Sequence, residues 1–227
     1  MKLKYMLTVL AVLGMALTGC SAGTVNSESA GTASEQAAEF SAAEAPESEA
    51  AQQAFDNWKD AFRQVLLDYQ KSDAFGTEAK WDLQDLDLNG EPELLISTGS
   101  THADGVYVYF FNADGTVSQL VDEDGNLLSL GAYGKMLSCP EIRYVATAYL
   151  HQGFSRTTVF RIEEHTAIQE KTFDDTDSAM VDGNAVYHID GEEVSKTMYE
   201  DEVQQFQAND WRQVGTQYTF DDLSLLG

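Results

Sequence analysis

The chain has 227 residues, 43% of them hydrophobic, and sets 38 acidic against 13 basic side chains, a formal charge of −25 at pH 7. So negative a surface repels phosphate backbones and anionic lipid headgroups, which excludes nucleic acid as a partner and any membrane attachment through a basic patch. Divalent cations are the partners this charge invites.

At the start of the chain, Lys2 and Lys4 precede an uncharged, largely apolar run from Tyr5 to Leu17, which ends in Leu17-Thr18-Gly19-Cys20-Ser21. A short basic region, an apolar stretch of about a dozen residues and small residues before a cut define an export signal. The run falls short of the roughly 20 apolar residues that a transmembrane helix needs. The cysteine directly after the small pair resembles the lipobox of bacterial lipoproteins, a resemblance confined to residues 1–21. It implies that residues 1–19 are removed and that Cys20 is lipidated. The protein would then be anchored to the cell membrane, facing its extracytoplasmic side. An ordinary secretory signal that happens to hold a cysteine is the alternative. Cleavage would leave 11 basic residues against 38 acidic, a charge of −27. Attachment then comes from the acyl chains, at about 0.8 kcal/mol per buried methylene. With Cys20 a thioether, Cys139 stands alone and no intrachain disulfide is possible. The exported domain must be held by its core, a metal or both.

Residues 20–51 read as the lipidated cysteine and a tether. Of the thirty residues 21–50, 21 are Ala, Ser or Glu, and only Val25 and Phe40 are bulky and apolar. Such a stretch cannot bury enough surface to offset its ordering entropy. As a flexible coil it spans roughly 30 Å; a continuous Ala-Glu helix is the rival conformation. An extracytoplasmic domain follows over residues 52–227. Phe55, Trp58, Phe62, Leu66 and Tyr69 recur at steps of three and four, which predicts an amphipathic helix of about five turns packed on a sheet. Strands are predicted at Trp81–Leu88, Glu93–Thr98, Val106–Phe111, Val117–Val121, Ile142–Leu150, Thr157–Glu163, Thr166–Phe173 and Ala185–Ile189. Asn112-Ala113-Asp114-Gly115 reads as a four-residue hairpin loop. A second helix is predicted over Lys196–Gln207, capped by Ser195 or by a Thr197–Glu200 capping box, and Trp211–Phe220 returns to the sheet. With no long crossover between strands, the class is α+β: a mostly antiparallel meander with a helix near each end.

One segment suggests chemistry. Asp85-Leu86-Asp87-Leu88-Asn89-Gly90-Glu91-Pro92-Glu93 sets oxygen-bearing side chains at loop positions 1, 3, 5 and 9, with Gly90 at the sharp turn. Alternation sends Asp85, Asp87 and Asn89 to one side and Leu86 and Leu88 to the other. Glu91 would offer its backbone carbonyl and Glu93 its carboxylate. Hard oxygens at this density suit Ca²⁺. The segment departs from an EF-hand, because position 12 is Ile96. It resembles the D-x-D-x-[DN]-G-x-x-[DE] loops of integrin-type FG-GAP repeats, and a segment of uncharacterised lipoproteins of gut Firmicutes. The first likeness implies a calcium loop running into an apolar strand; the second supplies no activity. Because the motif occurs once, a propeller of repeated blades is not implied. The rival reading is an empty type I′ hairpin at Asn89-Gly90, with the acids facing water.

Other candidates carry less. Cys139 lacks a family signature, and His102, His151, His165 and His188 lack zinc spacing. Asp122-Glu123-Asp124-Gly125 and Asp174-Asp175-Thr176-Asp177 read as solvated turns, and Val106–Phe111 as buried sheet. These observations point to a membrane-anchored bacterial lipoprotein. Its domain would bind or scaffold a protein, peptide or glycan without catalysis and hold one structural Ca²⁺. The alternative is an extracytoplasmic hydrolase using scattered acids or Cys139. A solute-binding protein fits poorly, since alternating βαβ units are missing.

Overall fold

The computed structural model describes residues 53–99, 105–151, 153–176 and 185–227. The expected signal segment, Cys20 and the tether lie outside the described residues.

The first helix, α1, spans Trp58–Lys71. It starts a turn later than the aromatic spacing predicts, because Asn57 caps it. The Asn57 side chain accepts from the Asp60 amide at 3.1 Å and donates to the Asp60 carboxylate at 2.7 Å. Phe55 sits before the cap, where its amide donates to the Gly115 carbonyl at 2.8 Å. Asp60 in the first turn and Lys71 in the last suit the helix dipole.

Among the described residues, thirteen strands follow in two sheets. Strands β1 (Lys80–Gln84), β2 (Glu93–Ser97), β3 (Val106–Phe111) and β4 (Val117–Gln119) form an antiparallel meander, with β5 (Ser129–Leu130) on β3. The second sheet holds β6 (Gly134–Cys139), β7 (Tyr144–His151), β8 (Phe154–Glu163), β9 (Thr166–Thr176), β10 (Tyr187–Ile189) and β11 (Glu192–Val194). Helix α2 (Lys196–Gln207) begins at Ser195, whose side chain accepts from the Met198 amide; that settles the cap in favour of Ser195. The chain then visits both sheets. Strand β12 (Arg212–Gln213) pairs with β6, and β13 (Tyr218–Thr219) pairs with β1. A 3₁₀ segment, Phe220–Leu226, closes against α1.

Period-two alternation sorts the side chains into three cores. Leu94, Ile96, Tyr107 and Tyr109 meet Phe62, Val65 and Leu66 of α1. Leu95, Val108 and Phe110, on the opposite face of the same strands, meet Met136, Val145 and Ile162 of the second sheet. Leu137, Ala146 and Phe173 then meet Tyr199, Val203 and Phe206 of α2. The order is helix, sheet, sheet, helix, so the α+β class and the antiparallel meander hold, with the strands divided between two packed sheets.

Most predicted strand boundaries move by a few residues, and two of the shifts relocate acidic side chains. Strand β1 stops at Gln84 rather than running to Leu88, because side-chain hydrogen bonds from Asp85, Asp87 and Asn89 take over the backbone. Strand β9 runs on to Thr176, so Asp174 and Asp175 lie in a strand and not in a solvated turn. Asp174 is 8% exposed and takes a two-pronged hydrogen bond from Arg156, its register partner, at 2.6 and 3.1 Å. Asp175 accepts from the Tyr199 hydroxyl at 2.8 Å. A partner for each carboxylate removes the reason for it to face water.

Candidate metal centre

Strand register pairs Gln84 with Glu93, so the eight residues between them form the β1–β2 loop. A two-residue Asn-Gly hairpin does not form. Side-chain oxygens instead capture successive amides: Asp87 Oδ1 accepts from Asn89 at 3.0 Å, Asn89 Oδ1 from Glu91 at 2.7 Å, and Asp85 Oδ2 from Gly90 at 3.1 Å. Gly90 takes φ +94°, and a Cβ there would meet nothing within 4 Å, so backbone conformation alone calls for glycine. Leu88 is left-handed too, at φ 58°. That turn points it outward at 41% exposure, whereas alternation placed it beside buried Leu86.

The loop brings Asp85, Asp87 and Glu93 together, with one oxygen of each within 4.8 Å of the others, a set that can hold a metal ion. Asn89 stands beside them and donates to Asp87 Oδ2 at 3.0 Å, so its amide already serves the loop. The Glu91 side chain is exposed. Glu93 is 3% exposed, and its Oε2 accepts from the Leu86 amide at 2.6 Å. Burial, and then the charges of Asp87 and Asp85, push its carboxyl up to about 8 against the pull of that amide. Asp85 Oδ1 is buried and has no hydrogen-bond partner. Such an atom costs about 1–3 kcal/mol unless something positive meets it. Two carboxylates, one with a buried bare oxygen, beside a third carboxyl that their charge and burial keep protonated, fit a hard, oxygen-seeking cation that would displace that proton.

Raised carboxyls also mark catalytic acids. Glu93, however, is buried, and one of its oxygens is already taken by the Leu86 amide. Cys139 is fully buried, and its thiol donates to Glu141 Oε2 at 3.5 Å. Burial and that carboxylate push the thiol pKa up, the reverse of an activated nucleophile. The Asp122–Asn126 turn closes on itself, with Asp122 Oδ1 accepting from the Asp124 and Asn126 amides.

One arrangement escaped the sequence reading. His165, in the β8–β9 turn, stacks on Phe110 at 4.4 Å, and its Nδ1 lies 2.9 Å from Ser118 Oγ. Burial holds the imidazole below its ordinary pKa, opposed by the charges of Asp87 and Glu164. No spacing rule joins positions 87, 118 and 165; only the packing of two sheets does.

No family model matches the chain, and no curated protein matches it. Among solved structures it is similar to one described as "Structure of a Xanthomonas Type IV Secretion System related protein", at 16% identity and a TM-score of 0.32. The likeness covers 50% of this chain and 57% of that one, so the chain spans little more than half of that neighbour. So low a score carries no argument about function.

Proposed function

We propose that the protein is a lipid-anchored bacterial lipoprotein whose extracytoplasmic domain binds or scaffolds a protein, peptide or glycan ligand without catalysis, steadied by one structural Ca²⁺. The observation that carries the cation is the convergence of Asp85, Asp87 and Glu93 around a buried, unpartnered carboxylate oxygen. Asn89 and the Glu91 carbonyl complete the expected ligand set. Six to eight oxygens at about 2.3–2.6 Å suit Ca²⁺, and a site with Kd of about 10⁻⁴–10⁻³ M would fill outside the cell. The anchor rests on the lipobox-like segment ending at Cys20. No helix among the described residues is long and apolar enough to cross a membrane.

Calcium titrated into the full chain, purified with chelator, should raise the melting temperature in proportion to ln(1 + [Ca²⁺]/Kd). At a hundredfold excess over Kd the gain is about 2.7 kcal/mol. Asp87→Ala should abolish the response. An unresponsive wild type would return the loop to a metal-free turn. In bacterial cells, Cys20→Ala should move the protein from the membrane fraction to the soluble one; a variant that stays membrane-bound would sink the lipid-anchor reading.

A further inference from the structure

The β1–β2 loop does not hang free of the rest of the domain. Leu86, between the two aspartates, is 5% exposed and packs into the core between the sheets with Leu95, Phe110, Met136 and Ile162. Its amide is held by the Glu93 carboxylate, so one residue joins a candidate ligand to the inter-sheet core.

A second connection comes from the other sheet. Phe110, which shares the inter-sheet core with Leu86, carries the His165 ring stacked on it at 4.4 Å. His165 holds both sheets together, its ring against Phe110 and Ser118 of the first sheet and its backbone in the β8–β9 turn of the second. It is itself left-handed at φ 69°, next to Glu164 at φ 46°, a conformation that side chains adopt only when neighbours hold it. Its carbonyl accepts the Val121 amide at 3.0 Å, and the Val121 carbonyl accepts the Ala167 amide at 2.8 Å. These two bonds make a parallel bridge between the chain leaving β4 and the start of β9.

We infer that a divalent cation in the β1–β2 loop tightens the junction of the two sheets, so that cation occupancy is transmitted from the loop to the β8–β9 turn. This rests on the cation reading above and names its consequence. A cation that gathers Asp85, Asp87 and Glu93 fixes the Leu86 backbone, and with it the Leu86 side chain in the shared core. The bare oxygen of Asp85 leaves one contact in the loop for a cation to complete. Linkage makes the effect reciprocal: loosening the inter-sheet core must weaken the cation by the same factor.

Amide hydrogen exchange on the full chain, with chelator and with saturating Ca²⁺, tests this. The loop amides of Leu86, Asn89, Gly90 and Glu91 should slow, and the amides of Val121 and Ala167 should slow with them by about fivefold or more. Slowing confined to the loop would overturn the coupling and leave the cation reading intact. No slowing anywhere would overturn both. Leu86→Ala, which removes no proposed ligand, should weaken Ca²⁺ about fivefold or more by reciprocity; unchanged affinity would again reject the coupling. Should that variant fail to fold, the wild-type exchange experiment decides alone.

Discussion

In the presence of chelator, the protein loses stability as the pH rises from about 4.5 to about 8, and Glu93→Gln removes most of that loss. The direction follows from the proton count. Below about 4.5 the Glu93 carboxyl is protonated in both the folded and the unfolded chain, and its contribution is full. Between 4.5 and 8 the unfolded chain releases the proton while the folded one keeps it, so each pH unit costs roughly 1.4 kcal/mol. Above 8 both are ionised, and the penalty levels off on the order of a few kcal/mol. The glutamine cannot ionise, yet keeps an oxygen for the Leu86 amide. Urea titrations at four or five pH values would measure the difference between the two proteins. Parallel curves would mean that Glu93 ionises like any surface acid. Saturating Ca²⁺ should restore wild-type stability at pH 8, because a cation favours the charged form that burial opposes.

The second large effect is expected at Asp82. This β1 residue is 3% exposed, and its Oδ2 accepts from the Gly215 amide at 3.0 Å, where the chain passes from β12 in one sheet to β13 in the other. Its Oδ1 accepts from the Leu83 amide at 2.8 Å and the Gln84 side chain at 3.1 Å. The crossing is tight: Gly215 has φ +86°, and a Cβ there would lie 3.0 Å from Val106 Cγ1. Neighbouring Val214 is buried in the inter-sheet core. Asp82→Ala strands the buried Gly215 donor and frees this strap, at a cost of about 3 kcal/mol. Asp82→Asn should recover part of it by keeping one acceptor. A urea midpoint unchanged in Asp82→Ala would show that the strap holds without its carboxylate.

The sequence singled out Glu93 but not Asp82, and the contrast shows where sequence stops informing. Helix α1 was legible because its apolar stripe is local, although that stripe predicts its start a turn early because it does not register the Asn57 cap. The Asn112–Gly115 hairpin was legible for the same reason; the Gly115 amide bonds the Asn112 carbonyl at 2.8 Å, as a tight loop requires. Strand β6 was not legible. Met136 and Leu137 are adjacent and both buried, one in each of two cores, so the strand shows no alternation. Asp174 misled for a related reason. Its partner Arg156 is eighteen residues away in the chain and adjacent only through the register of β8 with β9.

The candidate metal centre divides along the same line. Residues 85–93 specify by themselves that Asp85, Asp87 and Glu93 gather around a glycine turn, because they lie within nine residues and Asx turns fold the chain locally. Sequence alone likewise determines the strong negative charge and the α+β class. The depth at which that loop sits was decided by tertiary structure. Burial of Glu93 and the stacking of His165 on Phe110 arise only when two sheets close on one core. Burial and long-range pairing depend on what the rest of the chain brings to a residue, and no local pattern encodes that.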